Sequence, residues 1–314
     1  MSIATTADAK LLIATQTQFG TPITAGSSFD EARFTGESLN FNAETALSEE
    51  ITSSREVGDV VRISQSAGGD INFELSHDTA FDQLFESLMH GAFAGTGTDE
   101  LTNGTTPKFL TIHKELKTGT ATQRFKFADM LADTFSLEVP TGGLVTGTFG
   151  LIGSGLTTDT SATSSPNAND GRTIVNTVSS GAVTTGSANG SAGGALSNVV
   201  SMGLEVTNNL REQRAIGATN LVGVGSGRFE VTGSLEIFFA GMQEFNQFLQ
   251  ETAFSLQVVL KDPSATHGYT FYMPNVKYTT SEIVAEGANS DIIANFEFQA
   301  LAGTTETLKI TKHD

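Results

Sequence analysis

Hydrophobic and polar residues alternate strictly over several short stretches of the chain. Phe135, Leu137 and Val139 point one way while Ser136 and Glu138 point the other, and residues 292–300 repeat the arrangement. A period of two is that of a strand with one dry and one wet face. Further strands are predicted near 10–17, 33–42, 58–64, 108–115, 122–128, 199–207, 226–232, 254–261, 269–273 and 304–311. Two segments carry apolar residues at helical spacing instead. These are Phe81, Leu84, Phe85 and Leu88 in one, and Phe245, Phe248 and Leu249 in the other.

The pattern repeats. GDINFELSHDTAFDQLFESL (69–88) lies on GSLEIFFAGMQEFNQFLQET (233–252) at a constant offset of 164, so that Ile71, Phe73 and Leu75 fall on Leu235, Ile237 and Phe239. Upstream, LNFN (39–42) matches LEVT (204–207) at offset 165. Downstream, LVTGTFGLIG (144–153) matches DIIANFEFQA (291–300) at offset 147, pairing Phe149 with Phe296. Three segments in the same order point to a duplicated unit. The fall in offset places about 17 extra residues after the first helix, expected as a surface loop around Gly95 to Thr106.

This gives an expected division into an N-terminal arm (1–34), a first domain (35–155), a linker or flap (156–196), a second domain (197–301) and a C-terminal tail (302–314). Residues 156–196 are almost wholly Ser, Thr, Gly, Ala and Asn, too apolar-poor to offset their ordering entropy. Within them TIVNTV (173–178) could add one strand. The fold class expected is mainly β: two similar antiparallel sandwiches or partial barrels, each capped by one short helix. The connections are mostly too short for crossover helices, which favours antiparallel pairing.

Composition narrows the chemistry. The 314 residues hold 35 Asp+Glu against 17 Lys+Arg, a net charge of −18, with 0 Cys and 0 Trp. Such a balance argues against gripping nucleic acid through its phosphates, and the missing cysteines remove disulfide scaffolds, thiolate nucleophiles and iron–sulfur ligation. The start lacks the basic and apolar regions of an export signal, and no run approaches 18 apolar residues, so no membrane partner is expected. On the wet strand faces stand Asp70, Asn72, Glu74, Glu138, Glu236, Asn295 and Glu297, with Lys and Arg nearly missing. That face reads either as a solvated acidic surface or as one along which a polyanion must slide without sticking.

No catalytic constellation emerges. His77, His90, His113, His267 and His313 are scattered, without a metal-ligand spacing. GVGSG (223–227) has phosphate-loop glycines but runs into the strand RFEVTG and not a helix N-terminus. Glu49 and Glu50 sit in a polar loop with no aromatic pocket to raise a carboxyl pKa. No enzyme, cofactor or metal is expected. A β-sandwich adhesin at a cell surface shares the composition but not the start. A carbohydrate-active enzyme would want aromatic platforms that 0 Trp and 3 Tyr do not supply.

The run EITSSREVGDVVRISQSAGGDINFELSHDTAFDQLFESLMHGAF (50–93) resembles the first half of tail tube proteins from phages with long, non-contractile tails. FADMLADTFSLEVPTGGLVTGTFGLIG (127–153) is similar to that family's following strand pair. GRFEVTGSLEIFFAGMQEFNQFLQET and FYMPNVKYTTSEIVAEGANSDIIANFEFQAL resemble the continuation in members with a duplicated tube domain. The resemblance covers about residues 35–153 and 198–301. It implies a structural virion protein, assembled in the host cytoplasm, whose copies close rings that stack into the tail tube. A duplicated chain would form a ring of three, with a ring of six as the alternative. The wet faces would then line a channel whose carboxylates repel passing DNA. The loops 44–58 and 208–225, with Glu49, Glu50, Arg55, Arg211 and Arg214, would bridge subunits or successive rings. A tape-measure protein and the proteins at the tube's ends are the partners implied, with no specific DNA binding.

Overall fold

The computed structural model describes residues 4–24, 28–51, 56–95, 99–163, 165–169, 174–175, 181–190, 193–285, 287 and 289–313. The first half runs through β1 (Lys10–Thr15), β2 (Asp30–Ala32), β3 (Gly36–Glu37), β4 (Asn40–Leu47), β5 (Val60–Glu74), α1 (Thr79–Met89), β6 (Asp99–Thr102), β7 (Leu110–Thr118), β8 (Ala121–Pro140), β9 (Thr146–Gly153) and β10 (Gly155–Asp159). The second runs through β11 (Ala182–Ser187), β12 (Gly194–Ala195), β13 (Val199–Thr207), β14 (Arg211–Gln213), β15 (Gly223–Gly225), β16 (Glu230–Phe238), α2 (Gln243–Leu249), β17 (Phe254–Lys261), β18 (Gly268–Val284), β19 (Ile293–Ala300) and β20 (Lys309–His313).

The class is mainly β and antiparallel, as the alternation predicts. One broad sheet, in the order β4–β5–β9–β8–β13–β16–β19–β18, crosses both halves, with β8 and β13 joined at the middle. Below it each half has its own second sheet, β2–β1–β7–β8–β10 in the first and β12–β11–β17–β18–β20–β6 in the second. The two longest strands, β8 and β18, serve both layers by bending at bulges. These lie between Ala132 and Thr134 and between Tyr278 and Thr280.

The halves match in register. Ile71 pairs with Phe149 and Leu235 with Phe296, and Phe135 pairs with Phe149 as Ser281 does with Phe296. A second pair of bulges, Leu110/Ile112 and Phe254/Leu256, also coincides. Strand order, pairing partner and bulge position therefore repeat, the paired residues at the offsets of 164 and 147 that the sequence shows and the bulges at offsets of 146 and 144.

Helix α1 begins at Asp78, whose side chain accepts from the Ala80 amide at 3.4 Å, and ends at His90 in the left-handed region. It is no cap. Phe81, Leu84, Phe85 and Leu88 are buried between the broad sheet and both second sheets, with Phe85 against Phe135 and Phe149 of its own half and Tyr269 and Phe271 of the other. Each such phenyl ring removed from water is worth about 1.5–3 kcal/mol, so one helix ties both halves into a single core.

Four expectations need correcting. The N-terminal arm contains β1, which lies between β2 and β7 with Leu11, Leu12 and Ile13 wholly buried. The C-terminal tail contains β20, paired with β18 and β6. The surface loop around Gly95 to Thr106 contains β6, a strand of the first half that crosses to the second half's sheet, with Leu101 buried. The polar stretch 156–196 supplies most of β10 and all of β11 and β12, whose Thr- and Gly-rich sequence relies on ladder hydrogen bonds more than on apolar contact. From TIVNTV, Ile174 makes one bridge to Ser76 and Val175 is buried; the rest lies outside the described residues.

Candidate functional site

The broad sheet has one face on the core and one on solvent. Ile71, Phe73, Phe135, Leu137, Phe149, Leu235, Ile237, Phe296 and Phe298 are buried on the inner face. On the outer face Asp70, Asn72, Glu138, Asn295 and Glu297 are exposed and Glu74 and Glu236 half-buried, so all seven candidates share one surface. The ladder fixes their neighbours. Glu74 and Glu138 both stand opposite Thr146, and Glu236 stands opposite Asn295. Hydroxyls and amides fill the spaces: Ser201 donates to Glu236 at 2.7 Å, and Thr148 to Asn72 Oδ1 at 2.8 Å.

Other carboxylates on this face escaped the sequence reading, Glu230 opposite Thr207 among them. Glu205, beside Ser136 and Thr232, and Glu282, beside Asn295, lie on the same face. Glu205 alternates with Leu204 and Val206 in a strand already identified, so its direction was available. Glu282 lay beyond the point where that strand was expected to stop. Cations are few in this sheet: Arg62 stands opposite Thr45 where β5 pairs with the outer part of β4, Lys277 on β18 stands opposite Gln299, and Arg228 pairs with Glu230 at the start of β16. A surface on which carboxylates outnumber cations presents phosphate with net repulsion at close range. A shallow groove lies between Glu138, Glu205 and Glu297 where Gly203 carries no side chain; a Cβ there would stand 2.8 Å from the Ser234 hydroxyl.

The loops form a second cluster. The β4–β5 hairpin projects beyond the sheet with Leu47, Ile51, Val57, Val60, Val61 and Ile63 exposed, and Glu49 and Glu50 exposed near its tip. Arg55 lies outside the described residues. In the 208–225 loop, Arg214 pairs with Glu212 at 2.5 Å, and Arg211 donates to the Ser226 carbonyl at 3.4 Å. The loop rests on the hairpin's base, where the Gln65 amide donates to the Thr219 carbonyl at 2.9 Å, and its Ile216 is fully exposed. The structure thus sets the 208–225 loop against β5 at the base of the hairpin, through Gln65.

No group of ligands able to hold a metal occurs among the described residues. His113 is buried against Phe29 and shares a 2.9 Å hydrogen bond with Thr163. Burial, then the charges of Arg124 and Lys126, lowers its pKa to about 3, which keeps it a neutral packing group. No described helix is long and apolar enough to cross a membrane.

What remains is a sheet face rich in carboxylates, two exposed loops and two halves whose strands match in order and register. Residues 6–300 match the family described as phage tail tube protein. The chain belongs to that family. It is therefore a structural protein of the virion tail, and a tail tube protein acts by assembling with its own kind into a tube. No curated protein matches it.

Proposed function

We propose that copies of this tail tube protein join edge to edge into a ring through the broad sheet, that rings stack through the two loops, and that the acidic face lines the bore. Among the described residues the sheet's two outermost strands, β4 with β3 at one side and β18 beyond Thr280 at the other, each have a ladder partner on one side only. Unprotected edges of this length invite pairing. The single observation that carries the reading is the junction at the middle of the sheet. There β8 pairs with β13, Ser136 opposite Glu205 and Leu137 opposite Leu204. The matching positions at the outer edges are Glu282 and Ile283 on β18 and Asn40 and Leu39 on β3–β4. One copy's β18 thus meets the next copy's β3–β4 as β8 meets β13, and every joint in the ring is alike.

The repeated register supports an origin by duplication of one tube domain. Each chain then fills two places in a ring of six domains, so three copies close it; a ring of six chains is the alternative. The carboxylates repel the phosphate backbone, keep contact weak and let the genome pass, the reverse of counterion-release binding. A tape-measure protein inside the tube and terminator and tip proteins at its ends complete the assembly.

The joint is testable because the chain has 0 Cys. Residues directly opposite in a ladder bring their Cβ atoms to about 4.5–5.5 Å, close to disulfide geometry. The double variant Glu282→Cys with Asn40→Cys should oxidise to covalent oligomers whose size gives the ring number. Glu282→Cys with Phe41→Cys, on opposite faces, should not. Oligomers from neither pair, with globules and no rods by negative stain, would sink the reading.

A further inference from the structure

We propose that the face of α2 formed by Met242, Asn246 and Leu249 docks on strands β8 and β10 of a neighbouring copy, against Gln123 and Phe125. The inference rests on the edge-to-edge joint above and adds a second, deeper contact to it. The three residues lie on one side of the helix and are all exposed, Met242 to 52% and Leu249 to 61%. Their counterparts 164 positions earlier are Asp78, Asp82 and Phe85, and there Phe85 is fully buried.

What buries the first set is the other half of the same chain. Phe85 packs on Tyr269 and Phe271, with ring centroids 5.0 and 5.9 Å apart, Tyr269 donates to Asp82, and Lys312 of β20 pairs with that carboxylate at 3.2 Å. Among the described residues nothing covers the matching face of α2, where Met242, Asn246 and Leu249 are exposed. The residues in positions matching Tyr269 and Phe271, by the shared ladder and bulges, are Gln123 and Phe125 on β8; the position matching Lys312 is Thr160, just past β10. Phe125 is only partly buried, whereas Phe271 is wholly so.

The chemistry changes in step on both sides. Where the inner joint sets Asp82 against Tyr269 and Lys312, the outer one sets Asn246 against Gln123 and Thr160, which are neutral amides and a hydroxyl. No charge is stranded on either surface. Where the inner joint packs Phe85 on Phe271, the outer one packs Leu249 on Phe125. A seven-residue helix with no fully buried residue is marginal by itself, and a neighbour's sheet would hold it.

Two experiments decide this. Leu249→Asp should raise the protein concentration at which rods form at least about tenfold while leaving the single chain's urea midpoint unchanged, since the residue is exposed there; Leu249→Met should assemble as the parent does. Rods from Leu249→Asp at the parent concentration would overturn the proposal. Second, Leu249→Cys with Gln123→Cys should link neighbouring copies through a short thiol crosslinker. If this pair stays unlinked while Glu282→Cys with Asn40→Cys oxidises, the ring joint stands and the helix contact is wrong. If both pairs fail, the ring joint itself has failed.

Discussion

The hydroxyl of Tyr269, in the second half, donates to Asp82 Oδ1 on the first half's helix at 2.8 Å. Burial, with the Asp82 carboxylate adding to it, holds the phenol well above its ordinary pKa and so keeps it a donor. A hydrogen bond to a charged group contributes about 1.5–3 kcal/mol. Tyr269→Phe should lower stability by that amount in urea unfolding, with Lys312 still pairing Asp82. An unchanged midpoint would show that the contact does not couple the halves.

His113 gives the chain a pH dependence with a definite sign. Unfolded, its imidazole takes up a proton near the ordinary 6.5; folded, it stays neutral down to about 3. Between those values the unfolded state binds more protons, so stability falls as pH drops from 6.5 toward 3. Asp262 titrates lower: burial works to raise its carboxyl, yet hydrogen bonds from Ser264 and from the His267 and Thr266 amides pull it to about 2. Its contribution is present above the ordinary 3.8 and is lost below that. Urea midpoints at pH 7 and pH 4.5 should therefore differ less for His113→Gln than for the parent. A remaining slope is expected from His90, which burial also lowers. Equal slopes in parent and variant would exclude His113 as a source.

Gly69 adopts φ +139° in β5, and a Cβ there would stand 2.5 Å from the Ser38 carbonyl oxygen. The close approach lets β3 and β4 both pair with β5. Gly69→Ala should destabilise by about 1–3 kcal/mol, read as a drop in thermal midpoint; a shift of less than a degree would show that the edge strand accommodates the methyl.

For the proposed bore, Glu74→Lys together with Glu236→Lys should leave rods intact but slow genome delivery, because the new cations bind phosphate. Assembled particles carrying the variant would be compared with the parent by DNA release rate. Failure of rods to form would place these residues at an interface instead.

Stacking can be separated from ring closure at the loop tips. Ile51→Asp with Ile216→Asp, both on fully exposed side chains, should give rings of parent diameter that stack into few or no rods. Rods of normal length would remove the loops from the contact between rings.

The repeat was readable because residues 69–88 and 233–252 keep their apolar spacing, and the ladder pairs Ile71 and Leu235 with Phe149 and Phe296 as that spacing requires. The acidic face was readable for the same reason, since alternation fixes direction. Bends were not. β8 and β18 were expected as shorter pieces because Asp129 or Pro274 breaks the alternation, and only a partner strand shows that the chain continues through the bulge. The strands β1 and β20 looked like arms because their halves of the repeat, Thr- and Gly-rich β11 and β10, share almost no side-chain pattern with them. That Phe85 reaches Tyr269 and Phe271 depends on contacts between halves, which helical spacing does not encode.

The strand of residues 99–102 belongs to the first half but is hydrogen-bonded into the second, with Glu100 and Asp99 also reaching Lys309 and Lys312. After α2 the chain passes directly to β17, so no matching strap extends outward. In the ring proposed above, seams inside a molecule would be riveted by covalent continuity and a crossing strand, while those between molecules would not. Under pressure from within, the wall would open first at every second seam.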